Sequence, residues 1–132
     1  RLITDYYADP GPSREKMRAY LGSCLYDKSL ITEELIDERY NESIVPEFMV
    51  QAPEGRPGIR QFPEPLWDQV HKINHKTLIV YGRENRSSWD GALYMIARMP
   101  NAEFHLFSKC GFWVQYEKAA EFNALVKAYL NN

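Results

Sequence analysis

Residues 77–107 read TLIVYGRENRSSWDGALYMIARMPNAEFHLF, and the rhythm of this stretch decides the fold. TLIVY at 77–81 is a near-continuous β-prone apolar run closed by Gly82, the pattern of a strand buried on both faces. A polar loop, RENRSSW, leads into a helix around residues 90–98, with Leu93, Ile96 and Ala97 expected to face inward. After the Pro100-Asn101 turn comes a second strand, EFHLF at 103–107. A second polar loop, SKCGFWVQ at 108–115, precedes a last helix at about 117–130 whose apolar face is Phe122, Leu125, Val126 and Tyr129. Strand, helix, strand, helix is a parallel βαβα arrangement and an α/β fold class.

Two convincing strands are too few for so apolar a parallel strand, which expects neighbours and helices on both faces. The reading leaves three explanations open: strands from a partner chain, a longer protein of which this is the C-terminal portion, or strands missed in the sequence. The first residue is Arg1, not Met, which points to a processed or truncated chain. The 132 residues are therefore expected not to form a self-sufficient monomer; the expected partner is a missing N-terminal half or a complementary chain, with a homo-oligomer as the further alternative.

The first half has a helical rhythm. ADPGP at 8–12 is a turn and helix-stop signal. Ser13 is a good N-cap for a helix with Met17, Tyr20, Leu21, Cys24 and Leu25 on one stripe and Arg14, Glu15 and Arg18 opposite. A second helix opens at Thr32, with Glu33 and Glu34 in its first turn and Leu35, Ile36, Tyr40 and Ile44 as its buried face. Residues 46–65 carry five of the eight prolines and read as a long irregular connection. PLWDQV at 65–70 is a short helical turn. The organisation is thus a cap of helices with its connection, 1–64, and a βαβα part, 65–132.

Composition excludes several classes. With 16 basic and 18 acidic residues the net charge is −2 and both halves are mixed in sign, so no nucleic-acid footprint exists. No run approaches the 18 apolar residues needed to cross a bilayer, and the N-terminus lacks a signal-peptide pattern. Cys24 and Cys110 are the two cysteines and lie far apart, which suits a reducing, cytoplasmic setting. His71 and His75 are four apart with Asp68 before them, but Asn74 and Lys76 lie where the helix must give way to the strand, so no metal is expected. Nucleotide motifs are absent, and no cofactor is expected.

In open parallel sheets chemistry gathers where strands end and helices begin, which directs attention to loops 82–90 and 108–115. Nucleophilic catalysis needs a base, and the three histidines are His71, His75 and His105, the last inside a strand on the face of Glu103 and Phe107. Cys110 is a conceivable nucleophile, although apolar filling explains it better.

Together, YYADPGPSREKMRAYLGSCLYDKSLITEELIDERY, TLIVYGRENR and the CG-W-Q loop resemble the lid and C-terminal end of the α/β-hydrolases that cleave carbon-carbon bonds in meta-ring-fission products of aromatic or steroid catabolism. The resemblance implies that the remaining strands, the nucleophile elbow and the oxyanion hole lie N-terminal to this stretch. It also implies where the proton relay should be. The segment after GR usually reads DDR or EDR, which sets the acid at Asn85, and the later loop usually reads CGHW, which sets the base at Phe112. Neither residue can do that work, since Phe112 accepts no proton and Asn85 carries no charge. Glu84 or Asp90 could replace the acid, whereas no nearby histidine replaces the base.

The resemblance further implies that Arg39 reaches the carboxylate and dienol oxygens of a substrate, that Trp113 borders the pocket, and that Cys24 leaves room for a bulky distal group. Arg39 as a helix-surface arginine paired with an upstream glutamate, and Trp113 as core packing, stay open beside these roles. Two function classes follow: a fragment or subunit of a ring-fission hydrolase acting on a small aromatic or steroid-derived molecule, or a non-catalytic pseudo-hydrolase that binds a ligand or a protein. A third keeps the fold and changes the reaction, with Tyr81, Tyr94 or Cys110 handling protons.

Overall fold

The computed structural model of the chain describes residues 2–46 and 66–131. They divide into two compact units, one made of residues 2–23 and 28–46 and the other of residues 24–27 and 66–131. The proline-rich connection lies almost wholly outside the described residues.

The first unit is helical. Helix α1 spans Leu2–Tyr7, α2 spans Arg14–Cys24, and α3 spans Glu33–Ser43 after a short 3-10 turn at Lys28–Leu30. Both expected N-caps form. The Ser13 hydroxyl accepts the Lys16 N–H at 3.1 Å, and the Thr32 hydroxyl accepts the Leu35 N–H at 3.1 Å. Met17, Leu21 and Cys24 are buried along α2, as are Leu35 and Ile36 on α3. The charged side of α2 meets α3, where Arg14 pairs with Glu33 at 3.1 Å and with Asp37 at 2.5 Å, and Arg18 also pairs with Glu33.

Two expectations are corrected in this unit. A helix precedes the ADPGP turn, anchored by the Tyr6 and Tyr7 hydroxyls on Ser43 of α3, a tertiary tie that local propensity does not encode. Ile44 is exposed, because α3 ends at Ser43 and the next residue no longer follows its buried stripe.

The second unit holds the sheet. Strand β1, Thr77–Gly82, pairs in parallel with β2, Ala102–Phe107, in a register running from Thr77 opposite Ala102 to Gly82 opposite Phe107. Among the described residues the sheet has these two strands. One face carries Ile79, Ala102 and Phe104 against Val70 of a 3-10 helix, Leu66–Lys72, and against Ala92, Met95 and Met99 around α4, Asp90–Ile96. The other carries Val80 and Phe107 against Cys110, Val114, Phe122 and Leu125. Parallel strands with helices on both faces are thus realised within one short unit.

Two details of that half differ from expectation. Leu93 and Ala97 are exposed, and Ala92, Met95 and Met99 take the inward positions. The apolar residues of α4 run nearly all round the helix, so periodicity alone did not choose a face. The final helix is broken: α5, Val114–Glu117, ends at Lys118, and α6, Ala119–Asn131, carries Phe122, Leu125, Val126 and Tyr129 on one half-buried face.

Candidate functional site

The C-terminal ends of β1 and β2 lead into loops that interlock through peptide groups. The Arg83 N–H donates to the Phe107 carbonyl at 2.8 Å, extending the ladder past the strands. Glu84 and Cys110 then bond reciprocally. The Glu84 N–H donates to the Cys110 carbonyl at 3.0 Å, and the Cys110 N–H donates to the Glu84 carboxylate at 3.0 Å. That N–H, followed by Arg83 with its guanidinium 2.8 Å away, holds the Glu84 carboxyl below its ordinary range against some desolvation.

Three consecutive peptide N–H groups of the second loop are anchored by three different elements. Cys110 gives its N–H to Glu84, Gly111 to the Glu117 carboxylate at 2.7 Å, and Phe112 to the Cys24 carbonyl at 2.7 Å. The other oxygen of Glu117 accepts from Tyr26 at 2.7 Å and Asp27 at 3.2 Å. A single carboxylate therefore binds the 24–27 crossover to the loop, which is why those four residues belong to the second unit. Ionised acceptors make such bonds stronger than neutral ones.

Close approach demands glycine at two places. A Cβ on Gly82 would fall against the Gly111 and Cys110 carbonyls, and one on Gly111 against the Cys24 carbonyl and 2.9 Å from the Tyr26 nitrogen.

The side chains singled out in the sequence can now be placed. Asn85 does not present its amide oxygen to a neighbouring loop; that oxygen accepts the Ser87 N–H at 3.2 Å in a local Asx turn. Phe112 is 48% exposed, and its backbone N–H is held by the Cys24 carbonyl. Trp113 heads α5, half-buried, with its ring edge-on to Tyr116 at 6.0 Å. Cys24 is buried at the end of α2, and its carbonyl meets the Phe112 peptide, so these two positions come together. Arg39, in the helical unit, pairs with the downstream Glu42 at 2.9 Å and with the upstream Glu38 at 3.8 Å.

The other candidates are equally definite. Cys110 is fully buried, and burial with the Glu117 carboxylate pushes its thiol up to about 11, an inert thiol at neutral pH. His105 lies exposed on β2 with its ring 4.4 Å from Phe107. The 3-10 helix stops at Lys72, so His71 and His75 do not share a helix face. Tyr94 stacks under the Arg98 guanidinium at 3.6 Å and meets Trp67 edge-on at 5.1 Å. Among the described residues no group of three metal-ligating side chains occurs, and no helix is long and apolar enough to cross a membrane.

Sequence reasoning missed Glu117. Its local trace is an acidic residue in the first turn of a helix, six residues past Gly111, which by itself does not mark its distant partners.

The comparisons follow this geometry. The meta-cleavage product hydrolase from Pseudomonas fluorescens IP01 superposes on 91% of the chain with a TM-score of 0.81 at 34% identity, using 46% of its own length. The fold is that of the α/β-hydrolases. A serine hydrolase from Cycloclasticus zankles shares this hydrolase fold over 97% of the chain with a TM-score of 0.80 at 29% identity, using 47% of its length. In sequence, 2-hydroxy-6-oxo-6-phenylhexa-2,4-dienoate hydrolase of Burkholderia cepacia is 33% identical over 141 residues, covering 100% of this chain. A 2-hydroxy-6-oxononadienedioate/2-hydroxy-6-oxononatrienedioate hydrolase of Pseudomonas sp is 37% identical over 140 residues, covering 98%. Each match takes in 46% of the relative, so this hydrolase-fold chain spans about half the length of the curated relatives it matches. No protein-family model matches the chain. Sequence and structure tie it to the meta-cleavage product hydrolases as a group.

Proposed function

We propose that the chain is the lid and C-terminal part, as fragment or subunit, of a meta-cleavage-product-hydrolase-like protein, and that it does not complete a Ser-Asp-His relay. One observation carries this reading: the positions that the resemblance assigns to the acid and base are Asn85, its oxygen engaged by the Ser87 N–H, and Phe112, an exposed hydrocarbon ring. A relay needs a base to take the serine proton and a carboxylate to hold the imidazolium that results. Glu84, the nearest alternative acid, is bound to the Cys110 N–H and to Arg83. The serine and oxyanion donors belong, in this reading, to a further segment, and the protein works in the cytoplasm without a cofactor on a small aromatic or steroid-derived molecule. Within the second unit, Trp113 and Cys24 are proposed as contacts for the ligand's apolar part; Arg39, in the first unit, is proposed separately as a contact for a carboxylate.

A second reading, a non-catalytic ligand-binding or interaction subunit, is favoured by the exposed aromatic ring where a base would stand. The test is turnover of the chromogenic dienoate, 2-hydroxy-6-oxo-6-phenylhexa-2,4-dienoate, by the full chain alone and with a serine-bearing N-terminal segment from a relative. The unaltered chain should leave the dienoate intact in both cases. Phe112→His combined with Asn85→Asp should gain activity with the added segment beyond either change alone, because the carboxylate helps only when an imidazole is present. Turnover by the unaltered chain would overturn the proposal. Dienoate binding that is unchanged in Arg39→Met would remove that arginine from it.

A further inference from the structure

We infer that the outer edge of β2 pairs with β2 of a second copy of this chain, the two strands running antiparallel about a two-fold axis at Phe104. The inference goes beyond the proposed function. It uses neither Asn85 nor Phe112, and it concerns an edge of the sheet instead of the loops at the strand ends.

The two edges of the sheet differ in character. β1 has no charged residue from Thr77 to Gly82, whereas β2 carries Glu103 and His105, both exposed. An apolar parallel strand expects a further strand beside it, and charged residues mark a strand that ends a sheet. A further strand therefore belongs beside β1, and β2 is the outer strand.

The phase of the ladder fixes which peptide groups β2 turns outward. The Thr77 N–H donates to the Asn101 carbonyl at 2.9 Å, and the Arg83 N–H donates to the Phe107 carbonyl at 2.8 Å. With the register between these ends, the peptide groups of Glu103, His105 and Phe107 turn toward β1, and those of Ala102, Phe104 and Leu106 turn away from it. Among the described residues no other strand pairs with β2. Such an edge is a template for another strand, and its residues Ala102, Phe104 and Leu106 are half-buried, where unpaired peptide groups are costly.

Self-complementarity selects the occupant. Antiparallel registers that oppose outward peptide groups differ by steps of two residues. With Phe104 opposite Phe104 of the second copy, Ala102 meets Leu106, and every outward residue of the strand finds a partner. The same register sets Glu103 opposite His105 of the second copy, and two-fold symmetry repeats the pair. These are the non-hydrogen-bonded positions, where facing Cα atoms lie about 4.5 Å apart and side chains are closest. The neighbouring registers instead oppose Glu103 to Glu103 or His105 to His105, which is unfavourable. Within one copy Glu103 lies in electrostatic reach of Tyr129 and His105 lies against Phe107, so the opposite strand supplies the complementary charge that neither of these neighbours offers.

Sedimentation equilibrium of the full chain at pH 7 tests this. The parent should sediment as two chains, each of 15.5 kDa. Glu103→His and His105→Glu each oppose like side chains in both symmetry-related pairs, and each should weaken association at least about ten-fold. Combining Glu103→His with His105→Glu restores the pairs and should return association to within about three-fold of the parent. Both positions are exposed, so the circular dichroism spectrum should not change. Should either variant lose that spectrum, Glu103→Gln, which keeps the size and removes the charge, should still weaken association about three-fold. A parent that stays at 15.5 kDa, single variants that associate as the parent does, or a combined variant as weak as the single ones would overturn the inference. Association through the β1 edge would persist unchanged in every variant, and that result overturns it too.

Discussion

Replacing Gly82 by alanine should destabilise the second unit far more than an ordinary glycine-to-alanine change. The added Cβ would lie 2.7 Å from the Cys110 carbonyl carbon and closer still to two carbonyl oxygens. Carbon atoms in contact sit about 3.5–4.0 Å apart, so the loop must retreat by about 0.8 Å or more. These neighbours are backbone atoms, and they cannot rotate away. A retreat of that size breaks the reciprocal Glu84–Cys110 pair, in which the neutral peptide bond alone contributes about 1 kcal/mol. Overpacking adds about 1–3 kcal/mol, so the loss should be about 2–4 kcal/mol. Gly22 in α2 supplies the contrast: nothing lies within 4 Å of its added Cβ, and its helical position should make Gly22→Ala stabilising by about 0.5–1 kcal/mol. Urea unfolding of the full chain, followed by far-ultraviolet circular dichroism, measures both. If Gly82→Ala unfolds within about 0.5 kcal/mol of the parent, the interlock at the strand ends is not what holds this loop.

Two titrations test the same loops. The Glu84 carboxyl lies below its ordinary value when folded, so its stabilisation is complete above about pH 4.3 and fades as pH falls through the lower folded value. The difference in urea midpoint between the parent and Glu84→Gln should therefore shrink below pH 4, and a constant difference from pH 7 to 3 would contradict it. The Cys110 thiol is raised from 9.0 to about 11, so the stability linked to it is complete below pH 9 and is lost as pH rises through about 11. At pH 8 iodoacetamide should modify Cys110 at least ~10-fold more slowly in the folded chain than in urea, and equal rates would show the thiol to be accessible.

The parts of the fold that were legible in the sequence were those that local rules determine. TLIVY and EFHLF became paired parallel strands because each is a short apolar run bounded by turn residues, and Ser13 and Thr32 became caps because their hydroxyls fit the first turn of a helix. The face of α4 was not legible. Ala92, Leu93, Met95 and Ile96 are all apolar, and the sheet beneath the helix selects among them. Helix α1 was invisible for a related reason, since its ties run from Tyr6 and Tyr7 to Ser43, 36 or 37 residues away. At the site, Asn85 and Phe112 were named from the sequence, but the bonds that fix their loops were not. Glu117 joins residues about 90 positions apart, and no spacing rule marks such an acceptor.

That contrast bears on what the loops at the strand ends are for. Glu117 and Glu84 hold the second loop by its peptide groups, and Gly82 and Gly111 provide the room; none of these four depends on an acid at residue 85 or a base at residue 112. The scaffold that places a side chain at position 112 is therefore separable from the chemistry of that side chain. Substituting phenylalanine there removes a proton acceptor yet keeps the Cys24 carbonyl bonded to the same N–H, since that bond involves backbone alone. Asn85 likewise stays in its turn through an amide oxygen that accepts the Ser87 N–H as a carboxylate would. A chain built this way can lose its relay without losing the geometry of the loops, because the bonds that hold them run through backbone groups and through Glu84 and Glu117.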